Sequence, residues 1–177
     1  EEIQCVPDGR SITVGSGTYT MQNVTGTQIL TDAYSEVNGS MLNYTPPTGA
    51  KYIKYQYEFH VDPEPSNYYG ISHYRIYVDG ADVTEAMKTY SSNYNGTYGY
   101  ANQGMTMNYV FDLTATTTNA ATGQFSGWTG AKEICVKARR YSTQYQMRLN
   151  SNTWRDGTGA SGNFLWNRPL LTIQALS

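Results

Sequence analysis

Alternation of apolar and polar residues is the strongest pattern along this chain. It is clearest in residues 51–61, where every second position is apolar: Ile53, Tyr55, Tyr57, Phe59 and Val61. A period of two residues is that of a β-strand with one face buried and the other exposed to water. The segment is therefore predicted to be a long strand packed on a core.

Shorter runs with the same period recur along the rest of the chain. They occupy Ser72–Val78, Met105–Leu113, Glu133–Ser142, Tyr145–Leu149 and Leu170–Leu176. Turn-forming pairs separate them, among them Asn38-Gly39, Pro46-Pro47, Asp79-Gly80 and Asn95-Gly96. A helical turn is predicted only near Val83–Thr89.

Many short strands, frequent turns and minimal helix predict an all-β protein, an antiparallel β-sandwich and most simply a jelly roll. Residues 11–177 are predicted to form one sandwich domain. Residues 1–10 are predicted to be an N-terminal extension.

Composition narrows the partners that this domain could take. Of its 177 residues 15% are charged, the net charge is -2, and there are 17 Tyr against 4 Phe. Nucleic acid is therefore not an expected partner, although a local basic stripe is formed by Lys132, Lys137, Arg139, Arg140 and Arg148. No stretch of eighteen apolar residues occurs, so membrane insertion is not expected. A Tyr-rich, weakly charged β domain is typical of secreted and virion-surface proteins.

Two cysteines, Cys5 and Cys135, leave two alternatives open. They could form one disulfide between the N-terminal segment and a late strand, or remain two buried free thiols. Their separation excludes a CxxC redox or metal motif.

Catalytic chemistry has little support in the sequence. His60 and His73 lie on the polar sides of predicted strands, and no Gly-x-Ser-x-Gly motif occurs. The loop carboxylates lack the ligand order of a calcium site: Asp62, Glu64, Asp79, Asp82 and Glu85. We therefore predict no enzyme, metal or cofactor, while glycoside hydrolysis by two carboxylates is not excluded by counting.

Two further features concern the surface. Four Asn-x-Ser/Thr sequons begin at Asn23, Asn38, Asn43 and Asn95. The segment Tyr90–Asn102 mixes Tyr, Ser, Gly and Asn as antibody binding loops do, which suits contact with a glycan or protein; its tyrosines could equally pack on a sheet or a neighbouring subunit. The candidate contact residues are Tyr90, Tyr94, Tyr98, Tyr100, Trp128 and Trp154.

Several short segments, in order, resemble a family of jelly-roll domains from cyanophages and from algal and other marine viruses. They are Gly15–Thr20, Ser40–Gly49, Tyr55–Phe59, Ile76–Thr84, Ala121–Gly123 with Trp128, and Pro169–Ala175. The resemblance implies a tumour-necrosis-factor-like trimer at the virion surface, as a fibre-end or capsid-decoration domain without catalytic residues.

The leading hypothesis is accordingly a non-enzymatic viral structural protein. Its partners would be copies of itself, other virion proteins and a host-surface glycan or receptor. The alternative is a secreted carbohydrate-binding module or lectin that uses the aromatic residues as stacking platforms.

Overall fold

The computed structural model describes residues 1–63, 70–92, 103–152 and 165–177, and within them nearly all regular structure is β. The strands are β1 (Glu2–Cys5), β2 (Ser11–Val14), β3 (Gly17–Thr20), β4 (Gln28–Ile29), β5 (Ser35–Glu36), β6 (Leu42–Tyr44), β7 (Tyr52–Pro63), β8 (Ile71–Val78), β9 (Ala81–Ser91), β10 (Gln103–Asp112), β11 (Lys132–Arg140), β12 (Met147–Leu149), β13 (Ser151–Asn152), β14 (Leu165–Trp166) and β15 (Leu170–Leu176). A single 3-10 turn, Ala120–Thr122, is the helical element of the described residues.

The longest strand, β7, organises a six-stranded antiparallel sheet. It pairs with β10 along one side and with β15 and then β12 along the other, while β1 and β4 extend the sheet beyond β15 and β12. The alternation in residues 51–61 explains this central position, because β7 buries one face in the core while its backbone pairs on both sides.

The second sheet has five antiparallel strands and is built around β11. This strand pairs with β8 on one side and with β6 and then β5 on the other, and β9 pairs with the far side of β8. Two small hairpin-like pairs, β2 with β3 and β13 with β14, lie outside the main sheets.

Apolar side chains from both sheets form one core cluster. The rings of Phe59 from β7 and Tyr74 from β8 pack with centroids 5.4 Å apart, which joins the two sheets directly. The prediction of an all-β antiparallel sandwich of jelly-roll type is confirmed. The alternating residues of 51–61 are all buried, as predicted.

The predicted helical turn at Val83–Thr89 is wrong, because these residues lie within β9. The buried residues Val83, Ala86 and Tyr90 are spaced by three and four positions, which resembles a helical period. The register against β8 shifts between Tyr74 and Ile76, and this bulge changes which residues of β9 face the core.

Two boundaries also differ from the sequence prediction. The run Tyr145–Leu149 is a strand only over β12, Met147–Leu149. Within residues 1–10, predicted as an extension, β1 pairs with β15 and buries Ile3 and Cys5. This segment therefore contributes to the core of the sandwich.

Candidate functional site

The outer face of the five-stranded sheet gathers cations and tyrosines that are far apart in sequence. Strands β8 and β11 pair Arg75 with Lys137 and Cys135 with Tyr77, while β9 places Asp82 opposite Tyr77. Because the intervening residues of β8 and β11 are buried in the core, these side chains project to the other side. We call the following set the Tyr34 face: Tyr34, Arg75, Tyr77, Asp82, Lys137 and Arg139.

Cation–π contacts order the Tyr34 face. The guanidinium carbons of Arg75 and Arg139 lie 4.7 and 5.4 Å from the centroid of the Tyr34 ring. The Lys137 Nζ lies 4.6 Å from the centroid of the Tyr77 ring. Such contacts stabilise by about 0.5–1 kcal/mol at exposed sites and by more where water is excluded. The face is therefore held in shape before any partner binds.

An ion pair completes one end of this face. Arg75 Nη1 donates to Asp82 Oδ2 at 2.5 Å, with both side chains partly exposed. The second carboxylate oxygen of Asp82 and the Nε of Arg75 are buried without a hydrogen-bond partner. An unsatisfied buried donor and acceptor are unusual in a folded protein.

The pKa values of two titratable side chains, His73 and Tyr77, are shifted by this arrangement. Burial, with the charges of Arg139 and Arg75, lowers the pKa of His73, which lies opposite Arg139 in the strand pairing. Burial and the charge of Asp82 raise the pKa of Tyr77. Both rings are therefore uncharged at neutral pH.

The outer face of the six-stranded sheet carries a second candidate, a groove of about 190 Å³ that we call the Gly104 groove. Gly104 lies opposite His60, and a Cβ at Gly104 would meet nothing within 4 Å. Because Gly104 has no side chain, the surface is depressed at this position and the groove forms. Its lining residues are Glu58, Phe59, His60, Gly104, Met105, Thr106, Arg168 and Leu170.

Charged, polar and aromatic side chains lie together at this groove. Gln56 Nε2 donates to the Glu58 carboxylate, which orients that acceptor. The Arg168 guanidinium lies over the Trp166 ring, 4.9 Å from its centroid. A carboxylate, a guanidinium and a threonine hydroxyl offer acceptors and donors to one small polar ligand.

The structure buries two of the residues predicted to contact a ligand. Tyr90 and Trp128 are 8% and 4% exposed. The Trp128 indole N–H donates to the carbonyl of Tyr44 at 3.3 Å, and its ring packs on Phe125 at 5.0 Å. The Trp128 side chain also borders a pocket of about 240 Å³ lined by Pro46 and Pro47. The other predicted contacts, Tyr94, Tyr98, Tyr100 and Trp154, lie outside the described residues.

The two cysteines and the sequons have clear positions. Cys5 and Cys135 are both buried free thiols, which is the second of the two alternatives. Asn23, Asn38 and Asn43 are exposed, and Asn95 lies outside the described residues.

Four of the five loop carboxylates are engaged in structural contacts, among them Asp62, which accepts a hydrogen bond from Ser151, and Glu64 lies outside the described residues. Asp79 pairs with Lys132 at 2.6 Å and Asp82 pairs with Arg75, while Glu85 accepts a hydrogen bond from the Tyr109 hydroxyl at 3.1 Å.

The predicted basic stripe is divided, because Lys137 and Arg139 lie on the Tyr34 face whereas Arg148 lies in the other sheet.

The Tyr34 face could not be read from alternation. Tyr34 precedes a two-residue strand, β5. Asp82 lies near the start of β9 and is placed on the face by the pairing of β9 with β8. The only sequence signal was the pair of cations at Lys137 and Arg139 on the polar side of a predicted strand. Their aromatic partners are supplied by strand pairing.

No protein-family model matches this chain, and no curated protein matches it in sequence. Three solved structures that are similar to this chain each have a low score. The CBM36-1 domain of a multidomain xylanase from the hindgut metagenome of Trinervitermes trinervoides is 9% identical with a TM-score of 0.38, covering 100% of this chain and 99% of that one.

Two other solved structures are similar over most of this chain. The EclA C-terminal domain, a sugar-binding protein, is 10% identical with a TM-score of 0.30, covering 84% of this chain and 73% of that one. A chain of the infectious bursal disease virus Gt strain is 12% identical with a TM-score of 0.33, covering 94% of this chain but 38% of its own length. Scores this low support no argument about function.

The described part of the chain contains no helix with the length and hydropathy that a membrane span needs. A β-sandwich with two polar outer faces fits a binding or structural domain.

Proposed function

We propose that this chain is a non-enzymatic virion-surface domain whose copies associate as a homotrimer through the Tyr34 face. The observation on which the proposal rests is the stacking of Arg75 and Arg139 on one tyrosine at the surface of a sheet. Tyr and Arg are enriched among the residues that contribute most binding energy at protein interfaces. Neighbouring virion proteins and a host receptor are the further partners of such a domain.

Pre-ordering of the face supports this role. Long side chains lose conformational entropy when they bind, and stacking on Tyr34 and Tyr77 reduces that loss for Arg75, Arg139 and Lys137. Low overall charge also limits repulsion between identical copies.

The test is the mass of the purified chain by light scattering, with and without Tyr34→Ala. The wild-type chain should be a trimer at micromolar concentration, and Tyr34→Ala should dissociate it by removing the ring on which both guanidiniums stack. Tyr52→Ala is the matched control, because Tyr52 is an exposed tyrosine on the other sheet. A strict monomer for the wild type, or a trimer that survives Tyr34→Ala, contradicts the proposal.

The Gly104 groove favours a second candidate function, carbohydrate binding. A sugar ring presents hydroxyls to acceptors and donors such as Glu58, Thr106 and Arg168, and a groove of about 190 Å³ is suited to a single residue rather than a chain. The bound unit would be a terminal monosaccharide of a glycan.

Filling the groove tests this second function. We expect Gly104→Val to abolish glycan-array binding without loss of stability, because its Cβ meets nothing within 4 Å and valine favours a strand. Val110→Thr, a change at an exposed site on the same strand, is the control and should retain binding. Equal glycan binding by Gly104→Val and wild type would contradict the assignment.

A further inference from the structure

Three metal-ligand side chains converge beside the Tyr34 face. A carboxylate oxygen of Glu36, a carboxylate oxygen of Glu133 and the Sγ of Cys135 all lie within 4.8 Å of one another. Glu36 belongs to β5, whereas Glu133 and Cys135 are two positions apart on β11 and so project to the same side of the sheet. Sheet pairing therefore brings together residues about a hundred positions apart in sequence.

The two carboxylates are not ion-paired with any lysine or arginine of the described residues. Among the described residues neither Glu36 nor Glu133 forms a salt bridge, and Glu36 Oε1 accepts a neutral hydrogen bond from Gln22 Nε2 at 2.6 Å. Lys137 lies opposite Glu36 in the strand pairing, yet its Nζ is placed over the Tyr77 ring. Two negative charges this close favour a bound cation.

The thiol supplies an independent indication. Cys135 is fully buried, and among the described residues its Sγ makes a hydrogen-bond contact with Glu133 Oε1, 3.9 Å away. In the described part of the chain this buried thiol has no polar contact outside the cluster, and its Sγ lies within 4.8 Å of an oxygen of each carboxylate.

We propose that Glu36, Glu133 and Cys135 bind a Zn²⁺ ion. Sulfur with carboxylate oxygen in a tetrahedral set is a zinc donor combination, whereas Ca²⁺ and Mg²⁺ take oxygen ligands alone. Zinc–ligand lengths place a bound sulfur and oxygen about 3.6 Å apart, close to the separation of Sγ from Glu133 Oε1. A Zn–S bond forms as the thiol proton passes to solvent, and water takes the fourth position beside the half-exposed glutamates.

Zinc at this position would join β5 to β11 at the edge of the Tyr34 face. Metal binding stabilises the folded chain because the ligands are assembled only there. The inference does not depend on the trimer, since a monomeric chain contains all three ligands. Failure of one proposal is therefore distinguishable from failure of the other.

The experiment is titration of the reduced, metal-free 177-residue chain with Zn²⁺, monitored by calorimetry and by thermal unfolding. We expect one zinc per chain and a raised Tm, with no rise for equimolar Mg²⁺ or Ca²⁺. Substituting Co²⁺ should give a thiolate charge-transfer absorption band. Glu36→Gln and Glu133→Gln should each weaken binding by at least the roughly 10–100-fold that loss of an outer-shell partner costs.

Cys5→Ala is the matched control, because Cys5 is the other buried free thiol and lies in the six-stranded sheet. It should retain both zinc affinity and the Co²⁺ band, while Cys135→Ala loses the band. If Cys135→Ala does not fold, the zinc affinities of Glu36→Gln and Glu133→Gln test the proposal without it, because both sites are half-exposed. Absence of zinc binding by the wild type, or unchanged affinity in Glu36→Gln and Glu133→Gln, overturns the proposal.

Discussion

At the scale of single residues, the core tyrosines of β7 show how a polar atom is accommodated inside an apolar cluster. The hydroxyl of Tyr55 donates to the carbonyl of Ser40 at 2.6 Å, and the hydroxyl of Tyr57 donates to the carbonyl of Asn38 at 2.7 Å. These hydrogen bonds connect residues 38–40, which follow β5, to β7 of the six-stranded sheet. A buried carbonyl without a donor would cost about 1–3 kcal/mol.

Tyr55→Phe tests that interaction. We expect the free energy of unfolding to fall by about 1–3 kcal/mol, because the ring still fills the core while the buried carbonyl of Ser40 loses its donor. Urea denaturation monitored by fluorescence measures the change. Tyr52→Phe, at an exposed site on the same strand, should change stability by less than about 0.5 kcal/mol; equal losses in the two variants would contradict the interpretation.

At the scale of elements, the turn between β8 and β9 is anchored to β11 by one side chain. Asp79 adopts a positive φ of 48°, accepts a hydrogen bond from the backbone N–H of Glu133 at 2.9 Å and pairs with Lys132. Burial acts to raise the pKa of Asp79, but its hydrogen bonds to Lys132 and Glu133 outweigh burial and lower it. The ionised carboxylate therefore holds this turn.

Asp79→Asn should destabilise the chain by up to about 1 kcal/mol at neutral pH, since exposed ion pairs are screened by solvent. Because the folded pKa lies below the usual 3.8, the stabilisation is complete above that value and is lost as pH falls through the lowered pKa. Thermal unfolding of both proteins across the acid range should show their Tm values converging. Asparagine tolerates positive φ, so a difference that persists in acid would point to the turn backbone instead.

Elements with a regular register were predictable, and those with an irregular one were not. In β7 the period of two holds from Tyr52 to Val61, and in β15 the alternating residues Leu171, Ile173 and Ala175 are buried, so these positions could be identified from the sequence. In β9 the bulge against β8 breaks the period, and Val83, Ala86 and Tyr90 mimic a helix. Strand β1 alternates over only four residues, which is too short a run to identify a strand from the sequence, and its burial depends on pairing with β15.

At the scale of the whole molecule, the candidate sites lie on the outer faces of two different sheets. The Tyr34 face and the zinc ligands belong to the five-stranded sheet, while the Gly104 groove belongs to the six-stranded sheet. Substitutions that are distant and share no partners have nearly additive effects. Gly104→Val should therefore leave the oligomeric state unchanged, and Tyr34→Ala should leave glycan binding unchanged.

The sequence by itself determined the fold class, because a strand with one buried face must alternate wherever its pairing is regular. It also determined that the polar side of β11 carries Lys137 and Arg139. Only the tertiary structure decided what those cations contact. Strand pairing across long sequence separations brings Tyr34 to the arginines and Glu36 to Cys135. Such pairings depend on strand register and on which strands are neighbours, and the local alternation of apolar and polar residues specifies neither.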